Sequence, residues 1–485
     1  AIFIPQGYWH NIINTGDTPL KVYAIYAPVE HPKGRVDVTK PIEELMIGYP
    51  DEKWMKQHAK RLKRIRKDLN KQHKDVYGEG VLNEGGAYGH MNHPFDIDVN
   101  LTFGQLKDIV KKALNGQLSL TREKTDGQAL AVSWRDGRLI AARNKGHLKN
   151  RGENALDIQG VAQKFAGRGG LTDAYNFAMK DLNTAISKLS SAQKEKIFGN
   201  GKSFMNIEVI WPKSVNVVPY GQPLLVFHGT MEYDESGKAI GQNQGAARIL
   251  AGMIKQVNQD VQSKYTIQGP PVVELPKNKE LTKLQPKFLG MISKLQGEFG
   301  LKDNQGVAEY HQAWWERFIE KNAKDLDEQE KIGLIKRWAF QDKSFRIKNI
   351  TDDKLRTWAE KIDKQDQGKI SKDNLMKFEK IFLGVGAEVI SFMSSVLTVN
   401  PDKAKRAMVK RLKQTIKDVE AKGSEKQVEK LRLELKRLQD IGGFDKVVPN
   451  EGIVFQYPEG PNGNTFKLTG AFASINQILG IFFNG

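Results

Sequence analysis

Lys124-Thr125-Asp126-Gly127 sets an amine beside a carboxylate and next to a glycine. A lysine amine attacks an electrophile only when unprotonated, so neighbouring cations or a bound divalent metal must lower its pKa. Gly127 has no side chain to keep the backbone away from a ligand. Five more blocks follow in order: Ala142-Arg143-Asn144-Lys145-Gly146, Asn206-Ile207-Glu208, Leu224-Leu225-Val226-Phe227, Glu451-Gly452-Ile453-Val454-Phe455 and Thr465-Phe466-Lys467-Leu468-Thr469. Cations can neutralise phosphate, an aromatic can clamp a flat ring, and a carboxylate can serve a metal that keeps most of its waters. Together these types suit covalent transfer of a charged group through a lysine.

Such blocks need elements to hold them in place. Residues 106–114 read as an amphipathic helix. Residues 128–143 alternate like a hairpin with Asp136-Gly137 as its turn. Residues 205–210 and 223–227 read as buried strands, and strands return at 452–457 and 465–468. Between them the chain is lysine-rich and mostly helical, with Trp314, Trp315, Trp338 and Trp358 as core or groove residues. Its last part, 401–438, has the apolar spacing of a helical hairpin broken at Gly423-Ser424. The expected class is α+β, with antiparallel sheets flanked by helices. The expected divisions are a short β segment (1–40), a basic helix with a Gly/His-rich lead-in (41–100), a mixed domain (101–240 and 446–485), and a helical insertion (241–445).

The chain has 485 residues, a net charge of +18 and no cysteine. The charge suggests a polyanionic partner, nucleic acid first. Lacking cysteine, it has no disulfide, thiolate–zinc site or thiol nucleophile, which fits a reducing compartment such as the cytoplasm. No apolar run reaches membrane-spanning length, since Glu388 interrupts residues 381–397. The first residue is Ala1, not Met, so residue 1 is not read as a natural start.

The ordered blocks resemble the covalent nucleotidyltransferases, the superfamily of ATP-dependent DNA and RNA ligases and mRNA capping enzymes. The resemblance implies that Lys124 attacks the α-phosphate of ATP, with Asp126 and Gly127 completing the motif. Glu123 matches an acidic residue common before this lysine in RNA ligases. Arg143 and Lys145 match a basic element that contacts ribose or phosphate. Glu208 matches the carboxylate that binds ribose hydroxyls, and Phe227 the aromatic that stacks on the base. Glu451 matches the carboxylate that serves Mg²⁺ or Mn²⁺ through its water shell, and Lys467 the lysine that grips the α-phosphate. The implied substrates are ATP and a nucleic acid with 5′-phosphate and 3′-hydroxyl ends, and a phage source would imply the host cytoplasm.

Two departures from the family stand out, and the second favours RNA ligase over DNA ligase or capping enzyme. Thr469 stands where a second lysine is usual, and residues 468–485 are too few for the OB-fold that normally follows. The helical insertion, including Lys405, Arg406, Lys410, Arg411 and Lys413, and the basic residues Lys60, Arg61, Lys63, Arg64, Arg66 and Lys67 are expected to bind substrate instead. The rivals are a DNA nick-sealing ligase and a catalytically inactive nucleic-acid-binding protein of the same fold. Three further patterns stand apart. Pro5, Gly7, His10 and Asn14 resemble the second motif of cupins, but one histidine holds no metal. His90, His93 and Asp96 crowd one turn, read as a cap. Residues 363–374 mimic an EF-hand but put Gln365, Gln367 and Asn374 where carboxylates are needed.

Overall fold

The computed structural model describes residues 92–97, 99–237, 239–242, 246, 249, 264–340, 342–393, 396–459 and 464–481. All of them belong to one compact unit, Asp75–Gly485. The cupin-like segment and the basic helix at 53–75 lie outside the described residues.

The described part begins with helix α1 (Phe103–Leu114), started by a capping box in which Thr102 and Gln105 satisfy each other's backbone N–H groups. Strand β1 (Ser119–Lys124) follows, then a hairpin of β2 (Gln128–Arg135) and β3 (Arg138–Ala142). Its turn residues Asp136 and Gly137 both take positive φ, 48° and 78°, the conformation a two-residue hairpin demands. Helices α2 (Ile158–Lys164), α3 (Gly170–Ser187) and α4 (Ser191–Phe198) lead to β4 (Ser203–Ile210), β5 (Leu224–Tyr233), β6 (Ala239–Gln242) and β7 (Thr266–Gln268). The larger sheet has order β3-β2-β4-β5-β6, antiparallel throughout, with β7 parallel to β5.

A helical stretch then runs through α5 (Lys279–Lys283), α6 (Gln285–Gly297), α7 (Val307–Asn322), α8 (Glu328–Phe340), α9 (Asp353–Lys361) and α10 (Gln367–Ser391). The expected hairpin is α11 (Pro401–Lys422) and α12 (Glu425–Asp440), capped by Asn400 and Ser424. Strands β8 (Gly452–Tyr457) and β9 (Asn464–Thr469) pair with β1 in a three-stranded antiparallel sheet, and α13 (Phe472–Ile481) closes the described chain. The class is α+β.

The helical stretch is less separate than an insertion at 241–445 suggests. β7 lies inside that span yet completes the larger sheet, and Val272 bridges Arg122 at the free edge of β1. Helices α6 and α10 share one core with α1 and the smaller sheet, through Phe103, Phe288, Phe378, Ile453 and Phe466. Met408 and Leu412 of α11 share another with Val226 of β5 and Ile475 of α13. A Cβ on Gly386 of α10 would lie 2.3 Å from the Thr469 carbonyl oxygen, so the helix rests directly on the end of β9. A further core forms around Trp315, Trp338, Ile350 and Ala359, with Trp314 and Trp358 partly buried against it. The EF-hand lookalike is helical, and both Asp363 carboxylate oxygens bind Arg337 at 2.7 Å. Among the described residues no helix is long and apolar enough to cross a membrane.

Candidate active site

Alternation along the smaller sheet sorts its residues into two faces. Glu123 pairs with Ile453 and Ile453 with Leu468, in a row that faces the apolar core. Lys124 pairs with Gly452 and Gly452 with Thr469, on the opposite face. The next row on that face is Arg122, Val454 and Lys467. With strands about 4.8 Å apart and about 3.3 Å of rise per residue, the Lys124 and Lys467 backbones lie roughly 12 Å apart. Both side chains therefore leave the sheet on one face.

Lys124 ends β1 with its Nζ against Glu451 Oε1, a residue 327 positions later. Burial disfavours the ammonium, but the carboxylates of Glu451, Glu208 and Asp126 together hold Lys124 above its ordinary value. Burial likewise raises Glu451 despite the adjacent ammonium. The ion pair thus keeps the candidate nucleophile protonated, and a reaction has to break it before the amine can attack.

Asp126 has a different surrounding. It is 5% exposed, and its carboxylate accepts from Asn216 Nδ2 at 2.6 Å, Val217 N at 2.7 Å and Val218 N at 2.6 Å. Its own N–H donates to Tyr220 Oη at 2.9 Å. Burial raises its pKa, and these donors oppose the rise. The side chain fastens the 216–220 loop to the turn after Lys124, and Arg411 Nη1 of α11 donates to the Asn216 carbonyl at 3.0 Å. Gly127 is required for a related reason. A Cβ there would meet Glu208 Cβ at 3.0 Å and Val209 O at 3.2 Å, so the close approach is to β4.

Glu208 lies on β4 opposite Val226. It accepts from Thr125 Oγ1 and sits 3.4 Å from His228 Nε2. Burial would raise its pKa, but His228, Lys124 and Thr125 bring it below the ordinary carboxylate value. Phe227 is not on this face. It pairs with Ile207, is 4% exposed, and packs with Leu130, Tyr175 and Leu182 beneath α3. A bulge leaves His228 between Phe227 and Gly229, the latter at φ 119°, and brings its imidazole to Glu208. His228 is the ring the site presents. No residue pattern signals it, because the bulge interrupts the period of two along β5.

The remaining sequence candidates divide. Glu123 faces the core at 1% exposure, accepts from Asn450 Nδ2 at 3.2 Å and is pushed up to about 7 by burial, so it does not share the Lys124 face. Arg143 donates to the carbonyl of Ala129, the cross-strand partner of Glu208, and its guanidinium lies 5.4 Å from the Tyr175 ring and 5.8 Å from Phe165. Lys145 opens the short 3₁₀ turn after β3 and is half-buried. Asp96 closes its turn by accepting from His93 N at 2.8 Å.

Among the described residues no group of three or more His, Asp or Glu could cage a metal.

Comparison with known proteins adds little about these residues. No family model and no solved structure matches the chain. Uncharacterized protein YrkC of Bacillus subtilis (strain 168) is 65% identical over 40 residues, and uncharacterized protein L612 of Acanthamoeba polyphaga mimivirus is 54% identical over 42. Each match covers 8% of this chain, and the chain spans 22% and 26% of the length of these two relatives. Both matches fall in a small N-terminal region.

Proposed function

We propose that the chain is an ATP-dependent polynucleotide ligase, an RNA ligase before a DNA ligase, that joins 5′-phosphate and 3′-hydroxyl ends through a lysyl-AMP adduct on Lys124. The observation that carries this reading is the Lys124–Glu451 ion pair, with Glu208 and Asp126 close enough to act on the same lysine. Blocks that resemble one family's motifs and stand far apart in sequence meet at one amine.

In the first step the unprotonated Lys124 Nζ bonds to the α-phosphorus of ATP. The bond to the bridging oxygen breaks, and pyrophosphate leaves with its electron pair. Glu451 touches Nζ and is placed to receive its proton. Lys467, on the same face, meets the charge that grows on the phosphate. Glu208 and His228 face the ribose side and orient the nucleotide. Mg²⁺ or Mn²⁺, when bound through water at Glu451, would neutralise the triphosphate. Transfer of AMP to a 5′-phosphate end, then attack by a 3′-hydroxyl with release of AMP, completes the joining.

The test is incubation with ATP labelled at the α-phosphate and Mg²⁺. An acid-labile label on the parent, absent from Lys124→Ala and Lys124→Arg, is expected, because a guanidinium stays protonated and cannot attack. An unlabelled parent, or a labelled Lys124→Ala variant, refutes the assignment. Nicked RNA, DNA and hybrid duplexes offered to the labelled protein then separate RNA ligase from DNA ligase, and an unlabelled parent that still binds nucleic acid is the inactive-protein alternative.

A further inference from the structure

Strand β1, which carries Lys124, and the residues leading into β8, which include Glu451, meet twice. On the reactive face the two side chains form the ion pair. On the core face their immediate predecessors, Glu123 and Asn450, form a second contact, Nδ2 to Oε1 at 3.2 Å. The same Asn450 side chain turns back on its own strand, where Oδ1 accepts from Gly452 N at 2.8 Å. That hydrogen bond spans Glu451, an Asx turn that fixes the backbone from which Glu451 projects. Asn450 is 4% exposed and Glu123 1%, so water competes with neither bond. Glu123 is fixed at its own backbone, where its N–H donates to the Pro271 carbonyl at 2.8 Å. Its carboxyl also interacts with the Leu397 backbone N–H, and burying it is a cost that an ordinary core residue would not carry.

We propose that Glu123 and Asn450 are positioning residues that hold Glu451 against Lys124. The Asn450 amide joins the end of β1 to the start of β8 and sets the rotation of the residue between its two bonds. The ligase reading supplies one readout of this role, the rate of adduct formation; the other does not depend on it.

Reversing the donor and the acceptor gives the test. At pH 9, above the value of about 7 to which burial pushes Glu123, Asn450→Asp keeps the Gly452 contact but sets two ionised carboxylates against each other, which breaks the bond. Glu123→Gln with Asn450→Asp restores it with the polarity exchanged. Lys124 in its ion pair should resist reductive methylation, which needs the unprotonated amine, and peptide mapping reads this without ATP. Protection is expected in the parent, loss by tenfold or more in Asn450→Asp, and recovery in the double variant. Adduct formation should follow the same order, with ATP affinity within twofold of the parent in all three, which also reports that each variant is folded. Asn450→Asp with full Lys124 protection, or a double variant that recovers neither protection nor rate, overturns the proposal. A parent that forms no adduct while the methylation pattern holds overturns the ligase reading and leaves the positioning role standing.

Discussion

Replacing Asp126 by alanine distinguishes a catalytic carboxylate from an anchor. The carboxylate takes backbone hydrogen bonds from Val217 and Val218 at 2.7 and 2.6 Å and a third from Asn216 Nδ2 at 2.6 Å, at 5% exposure. A hydrogen bond to a charged acceptor contributes about 1.5–3 kcal/mol, and a donor left buried without a partner costs about 1–3 kcal/mol. At about 1.4 kcal/mol per factor of ten, losing the acceptor should lower hydrogen-exchange protection of the Val217 and Val218 amides by roughly 10- to 150-fold. Residues of the α3-facing core, such as Ile207 and Leu225, should keep their protection. Exchange read by mass spectrometry without nucleotide isolates this effect from chemistry. Asn216→Ala removes one of the three donors and should reproduce part of it. If Asp126→Ala abolished the adduct while Val217 and Val218 exchanged as in the parent, Asp126 would act on the reaction directly and the anchor role would be wrong.

Four further outcomes are expected. Burial raises Glu123 from 4.5 to about 7, so its contribution to stability is complete below about pH 4.5 and is lost as pH rises through 7. Glu123→Gln cannot ionise and should gain on the parent between about pH 5 and 8, by at most about 3 kcal/mol; an equal Tm difference at both ends would count against a raised carboxyl. Glu451→Ala should slow adduct formation by orders of magnitude with ATP affinity nearly intact, whereas a change confined to KM would remove it from the chemical step. Phe227→Leu should cost about 1 kcal/mol of stability and leave ATP binding alone, while His228→Ala should weaken ATP binding about tenfold at constant Tm; calorimetry of both tells whether the ring at the site has been chosen correctly. On α11, Arg406 and Lys410 are exposed, while Arg411 holds the Asn216 carbonyl and Lys405 donates to the Asp445 carbonyl. Neutralising Arg406 and Lys410 should lower the log–log salt slope of polynucleotide binding by roughly 0.7–0.9 each without touching self-adenylylation. Arg411→Ala should instead slow the adduct, and an unchanged slope in the double variant would make α11 a packing helix.

Local chemistry was readable along the chain. The Asp136-Gly137 turn, the α11–α12 break at Gly423-Ser424, and strands β4, β8 and β9 follow from patterns a few residues long: positive φ at the hairpin turn, cap residues, and short apolar or alternating runs. The blocks around Lys124, Glu208, Glu451 and Lys467 were likewise visible as residue types in order. What the chain could not show was which side of each strand would face the site. One residue separates Phe227 from His228, and a bulge decides which ring meets Glu208. One residue separates Glu123 from Lys124, and pairing with β8 sends the first into the core and the second towards Glu451. The helical stretch shows the same limit at a larger scale. Its apolar spacing announced helices, but which core they joined depended on partners far away in sequence, among them Met408 against Val226 and Gly386 against Thr469. Asp126 shows it most plainly, because its role is set by loop donors and an arginine that approach only when the chain is folded. Short-range backbone preferences are written in neighbouring residues, whereas facing, burial and charge pairing arise from close packing of distant segments.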